Sequence, residues 1–149
     1  MSEIALLVNT VATCVMVGVI WFVQVVHYPL LSKFGAAQST QVAREHQRRT
    51  VWVVGVPIAV EGISTVFLLA DRPDGVVIYL PWVGAILLAV ALGSTVWLSV
   101  PLHSRMASAH DNTVARKLVR TNWPRTIAWS ARAIVCVAMI LQASAIWPL

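Results

Sequence analysis

Four apolar runs, each long enough to cross a bilayer, constrain this chain more than any motif in it. They are Ile4–Leu31, Val51–Ala70, Val76–Leu102 and Ile127–Leu149, and the only Asp, Glu, Lys or Arg residues inside them are Glu61 and Arg132. A hydrocarbon core of about 30 Å takes roughly 20 apolar residues as a helix, and each run reaches that length. Backbone polar groups in lipid must be satisfied within the segment, so the runs are expected to be helices.

Composition agrees. The 149 residues are 58% hydrophobic and 11% charged, where a soluble domain has about 25% charged, and the mean hydropathy is +0.77. The first run is too long for a signal-peptide core and has no basic start, so it reads as a retained span. The expected fold is all-α: one integral membrane four-helix bundle over residues 1–149.

A net charge of +5 could point to nucleic acid, yet the basic residues sit in the links. Lys33, Arg44, Arg48 and Arg49 lie between runs one and two. Arg105, Arg116, Lys117, Arg120 and Arg125 lie between runs three and four. The outer link, DRPDG, holds only Arg72, beside Asp71 and Asp74. The positive-inside rule then puts both basic links in the cytoplasm and both termini outside, in a plasma (bacterial inner) membrane. Nucleic acid is excluded as a partner; membrane lipids take its place.

The links and boundaries carry further expectations. DRPDG is a tight turn that makes runs two and three antiparallel neighbours. Trp52 and Trp123 flank the inner boundary, and Tyr79, Trp82 and Trp147 the outer one, as an aromatic belt. Ser39 and Thr40 are candidate N-caps for a helix leading into run two. Pro57 and Pro101 fall in helical stretches, where neighbours can re-satisfy the backbone. Cys14 and Cys136 lack metal-type spacing and are expected as small buried thiols.

One echo runs through the chain. PLLSKF (Pro29–Phe34) closes run one and PLHSRM (Pro101–Met106) closes run three, 72 positions on. RTVW (Arg49–Trp52) and RTIAW (Arg125–Trp129) open the runs that follow. Two parallel helical hairpins related by an axis along the membrane normal would give this pattern; chance similarity at membrane boundaries would too.

At about 100° per residue, each run gathers its polar groups on one face. Asn9, Thr13, Gln24 and His27 share a stripe on run one. His46, Glu61 and Ser64 share one on run two, and Ser99 and His103 one on run three. Arg125, Trp129, Arg132 and Cys136 share one on run four. Such stripes suit a bundle with a hydrogen-bonded interior.

Glu61 lies about 15 Å in from Val51 at 1.5 Å per residue, near the midplane. An ionised group there costs about 2.5–3.5 kcal/mol on insertion scales, so a partner is expected, and Arg132 can reach it. That pair is either a structural tie between runs two and four or part of a functional site. His27, His46 and His103 all arrive near the cytoplasmic face. Three imidazoles could ligate zinc, copper or iron, with Glu45 or Glu61 as an oxygen ligand, or two could be axial haem ligands. Interfacial histidines without a metal are the plainer alternative. His110, beside Asp111 in the polar link, is expected in solvent.

The stretch RTNWPRTIAWSAR (Arg120–Arg132) interleaves arginine and tryptophan across the inner boundary. Arg125, Arg132 and the Trp129 ring could hold an anionic ligand, or the stretch could anchor on acidic lipid heads. Arg49 and Asn122 complete the candidate ligand-binding set.

On these residues the chain resembles the small four-span membrane family that includes fungal anthrone oxygenases. The matching parts are Pro29 at the end of span one, Pro101, His103 and Met106 closing span three, and Leu118, Trp123 or Trp129 and Arg132 opening span four. His103 stands where that family usually has Asn. A looser likeness is to HemJ-type protoporphyrinogen oxidases, through an intramembrane His near a proline, which makes His27 a haem-ligand candidate.

The resulting expectation is a membrane-embedded oxidoreductase or oxygenase acting on a lipophilic aromatic or quinone-like molecule. His27 and His103 are its general bases or metal or haem ligands, and Gln24 orients the substrate oxygen. Arg132 stabilises developing negative charge, and Glu61 holds Arg132 or relays protons. The alternatives are a proton-coupled carrier or channel working through Glu61, and a non-catalytic membrane subunit. A bundle this small is also open to homo-oligomerisation.

Overall fold

A computed structural model describes residues 1–31, 36–108 and 112–144. Among them there is no strand. The first rod is α1 (Ser2–Phe22), a π-helical turn (Val23–His27) and α2 (Tyr28–Leu31). The second is α3 (Ala36–Ala70). The third is α4 (Tyr79–Ser94), a second π-helical turn (Thr95–Ser99) and α5 (Val100–Ser108). The fourth is α6 (Asn112–Ser144).

The segments Ser2–Leu30, Arg44–Ala70, Tyr79–Arg105 and Arg116–Ser144 are long and apolar enough to cross a membrane. The chain is an all-α, multi-pass membrane four-helix bundle. α1 packs on α3 and α6, and α4 packs on α6, while among the described residues the backbones of α1 and α4 stay apart, as do those of α3 and α6. Those last two pairs are therefore the diagonals of the bundle.

The interior is inverted relative to a soluble protein. Leu7, Val11, Val56, Ile63, Ile86 and Ile134 face outward, while Asn9, Thr13, Gln24, Glu61, Asn122 and Arg132 are buried. Lipid tails are as apolar as these side chains, so nothing drives the oily faces inward and polar contacts hold the rods together. Apolar packing is confined to three small clusters. One lies at the end that holds the DRPDG turn, around Leu6, Leu68 and Met139. A second surrounds Met16, Ile20 and Trp129 at mid-depth. The third joins Val23, Tyr28 and Leu118 at the basic end.

The second and fourth helices extend beyond runs two and four, as Ser39 and Thr40 imply for α3. Arg44, Arg48 and Arg49 sit on α3, and Arg116, Lys117, Arg120 and Arg125 on α6, not in loops. Glu45 pairs with Arg48 at 3.0 Å and with Arg49 at 2.6 Å, the three- and four-residue spacings that support a solvated helix. Ser39 and Thr40 consequently lie within α3 instead of capping it. The third rod starts at Tyr79, since Asp71–Ile78 makes the turn between the second and third rods, with Gly75 at φ 80°. Cys14 is exposed, a correction to the expected pair of buried thiols; Cys136 is buried. Trp52, Trp82, Tyr79 and Trp123 face outward. Lys33, His110, Asp111 and Trp147 lie outside the described residues.

Both π-helical turns have a cause in the sequence. The Tyr28 amide donates to the Val23 carbonyl and the Val100 amide to the Thr95 carbonyl, each spanning five residues. Each turn ends two residues before a proline, Pro29 or Pro101. Proline has no N–H and its ring crowds the carbonyl four positions back, and a widened turn relieves that crowding. The two turns are 72 positions apart, the offset of the two prolines.

Candidate functional site: a polar clamp and the cavity beneath it

Two polar layers occupy the interior. The deeper is built on Glu61 and Arg132, which meet at 3.2 Å between Oε1 and Nε, with side chains 0% and 2% exposed. Thr13 donates to Glu61 Oε1 at 2.7 Å and the Trp129 indole to Oε2 at 3.0 Å. Arg132 Nη2 donates to Thr65 Oγ1 at 2.6 Å and Asn9 Oδ1 at 3.1 Å, and Nη1 donates to the Gly84 carbonyl. Asn9 also donates to Ser64 Oγ at 2.8 Å. All four rods contribute, and every nitrogen of Arg132 and both oxygens of Glu61 have a partner. The layer is a saturated clamp.

The second layer lies toward the basic end and is not saturated. A cavity of about 330 Å³ opens there among all four rods. Its walls are aliphatic, with Met16, Ile20, Val54 and Ile58, and Trp129 closes one side. Its polar end carries Tyr28, His46, Ser99, His103 and Arg125, and no Asp or Glu among the described residues lines it. Val51 and Val100 line it and are also exposed, so the cavity opens toward lipid between α3 and α5.

A buried chain of hydrogen bonds supports the polar end. His103 Nε2 and the Tyr28 hydroxyl are 2.8 Å apart, and Arg125 Nη2 donates to that hydroxyl at 3.1 Å. Arg125 Nη2 also donates to Asn122 Oδ1. Asn122 Nδ2 donates to Gln24 Oε1 at 2.8 Å, and Gln24 Nε2 to the Val119 carbonyl at 3.2 Å. Arg125 is buried, yet it makes no ion pair among the described residues. Three atoms on cavity-lining residues are buried without a protein partner: Arg125 Nε, His103 Nδ1 and Ser99 Oγ. Such groups are costly to leave unmet, at about 1–3 kcal/mol each, and more where the group is charged.

The histidines gather as their depth implies. His27 stacks on His46 with ring centroids 4.0 Å apart and planes 26° apart. His46 and His103 are 5.5 Å apart. No group of three His, Cys, Asp or Glu placed to hold a metal occurs among the described residues. Glu45 is engaged by Arg48 and Arg49 on the surface.

The structure sorts the expected site residues into distinct places. His46, His103, Arg125 and Trp129 line the cavity. Gln24 and Asn122 stand behind it, holding Arg125. Glu61 and Arg132 belong to the clamp, joined to the cavity through Trp129. Arg49 is on the surface, and His27, half-buried with Nε2 unpartnered, lines an outer groove with Arg49. Tyr28 escaped sequence reasoning, and its signal was its place beside His27, one residue before Pro29. Ser99 was noted on the stripe of His103 but not given a role. No family model, no curated protein and no solved structure matches the chain.

Proposed function

We propose that this membrane bundle is an enzyme acting on a lipophilic aromatic or quinone-like small molecule that enters the cavity from the bilayer. One observation carries the reading: three residues of the wall of an apolar cavity open to lipid, Arg125, His103 and Ser99, each keep a buried polar atom without a partner among the described residues. A ring would lie against Met16, Ile20, Val54 and Trp129, with an oxygen among those three groups. Arg125 stabilises negative charge on that oxygen, and His103 exchanges a proton with it. Oxidation as the reaction class comes from the likeness to the anthrone oxygenase family. This chain's residues supply binding, orientation and proton transfer. The role first given to Arg132 passes to Arg125, because Arg132 has no nitrogen left for a ligand.

The basic ends of α3 and α6 support a cytoplasmic position for the cavity mouth, with the termini outside the plasma membrane. A proton carrier working through Glu61 draws less support, since both its oxygens are occupied inside the clamp.

The test is binding of menadione, a two-ring quinone, to protein purified in detergent, followed by tryptophan fluorescence. Arg125→Gln and His103→Ala should each weaken binding roughly tenfold or more, the worth of a hydrogen bond involving a charged or buried group. Arg49→Gln should leave it unchanged. Failure of menadione to bind, or equal binding by all variants, overturns the reading. An absorption spectrum and metal content of the same preparation report on haem, iron, copper or zinc.

A further inference from the structure

We infer that Tyr28 fixes the tautomer of His103, so that this residue of the cavity wall carries its hydrogen on Nδ1. The inference deepens the reading above and rests on it only for what occupies the cavity.

The Tyr28 hydroxyl has two partners, both buried. Arg125 Nη2 lies at 3.1 Å and His103 Nε2 at 2.8 Å. A guanidinium can only donate, so the phenolic oxygen accepts from Arg125. Its own proton then has one place to go among the described residues, the lone pair of His103 Nε2. The opposite tautomer, with hydrogen on Nε2, would aim two donors at one oxygen and leave the tyrosine proton without an acceptor. A doubly protonated ring would add a second cation to Arg125 in a cavity that no carboxylate lines. The arrangement that satisfies Arg125, Tyr28 and His103 together has neutral His103 with its hydrogen on Nδ1.

Nδ1 is the atom of His103 that has no protein partner. Arg125 Nε, likewise unpartnered, is a donor in every state. Two residues of the cavity wall therefore hold fixed N–H groups without a partner among the described residues, with the Ser99 hydroxyl able to turn either way. That set fits an acceptor oxygen, which is a carbonyl in a quinone-like ligand. His103 first meets that oxygen as a hydrogen-bond donor, so any proton it exchanges is given before one is taken. The same tautomer leaves no free imidazole lone pair for a metal. Tyr28 is accordingly a positioning residue: it acts on the ligand only through His103.

The measurement is the ¹⁵N spectrum of histidine-labelled protein in detergent, read through two-bond couplings to the ring protons. His103 is assigned by loss of its signals in His103→Gln, or by elimination with the other histidine variants. The expected result is hydrogen on Nδ1 in the unmodified protein, and a shift toward the Nε2–H form in Tyr28→Phe. Hydrogen on Nε2 in the unmodified protein overturns the inference, even where Tyr28→Phe fails to fold. An unchanged Nδ1–H form in folded Tyr28→Phe overturns it as well, because a tyrosine that merely packs would leave the tautomer alone. Menadione binding is scored separately by fluorescence. An Nδ1–H His103 that binds no menadione sinks the functional reading and upholds the tautomer.

Discussion

Glu61 and Arg132 meet at 3.2 Å across a diagonal of the bundle, on helices whose backbones make no contact with each other. The pair closes the centre of the molecule; Thr13, Asn9 and Gly84 bring donors and acceptors from the other two rods, and Thr65 and Trp129 from the pair's own. Such a layer is an all-or-none device. Complete, it offsets the cost of two ions at mid-membrane; with one member missing, a bare charge remains in a dry interior.

Arg132→Leu alone, or Glu61→Leu alone, should therefore destabilise the bundle by about 3–5 kcal/mol, the cost of an orphaned buried charge. The double variant should lose less than the sum of the two. Thermal unfolding in a single detergent measures all three. Strict additivity would show that the two side chains do not act as a unit.

Gly84 tests the clamp from the backbone side. A Cβ there would lie 3.2 Å from Arg132 Nη1 and 3.8 Å from Val135 Cγ1. Gly84→Ala forces the guanidinium to give way by a few tenths of an ångström, and Gly84→Val asks for more. Costs of about 1–3 kcal/mol are expected, the range for overpacking, with valine the worse. Gly62, with nothing within 4 Å of a Cβ, is the control, and Gly62→Ala should be tolerated.

The π-helical turns depend on the prolines that follow them. Restoring an N–H with Pro29→Ala lets the Val25 carbonyl regain its helical partner and removes the reason for the widened turn. The predicted result is a shift of Tyr28 and His27 around the rod. Menadione affinity should fall while the molecule stays folded. Unaltered affinity and an unaltered histidine spectrum would show that the turn persists without the proline.

Asn122 reaches Arg125 on one side and Gln24 on the other. Asn122→Ala should free Arg125 to move and leave the Gln24 oxygen short of a donor, at about 1–3 kcal/mol in stability. Its effect on menadione binding should follow that of Arg125→Gln in direction and be smaller. Asn122→Asp, by contrast, would neutralise Arg125 with a new buried carboxylate and should weaken binding more than alanine does. A binding gain in Asn122→Asp would count against the cation as the ligand-binding group.

Much of this was legible in the sequence, for a physical reason. In lipid a polar side chain cannot face outward without cost, so the stripes of Asn9, Thr13, Glu61, Ser99, Arg125 and Arg132 had to turn toward one another. Depth along a straight helix then paired Glu61 with Arg132 and brought the histidines to one level. Tyr28 was not legible, because a regular helical period turns it about 100° from His27 and gives no hint of a widened turn. Cys14 was misjudged since a thiol is apolar enough to face lipid as readily as the core. The helical reach of α3 into its basic segment was legible from Ser39 and Thr40, while that of α6 was hidden by its charge, which reads as loop.

Hydropathy and period alone thus determined four membrane-crossing helices, which faces look inward, and the single acid–base pair at mid-depth. These follow from a solvent that accepts no unpaired backbone or charge. Which arginine is spent on the clamp and which is left for a ligand was decided only in three dimensions. Arg132 and Arg125 stand on the same stripe of one helix, and their difference comes from the neighbours on other rods: carboxylate, amide and carbonyl for one, a phenol and an open cavity for the other.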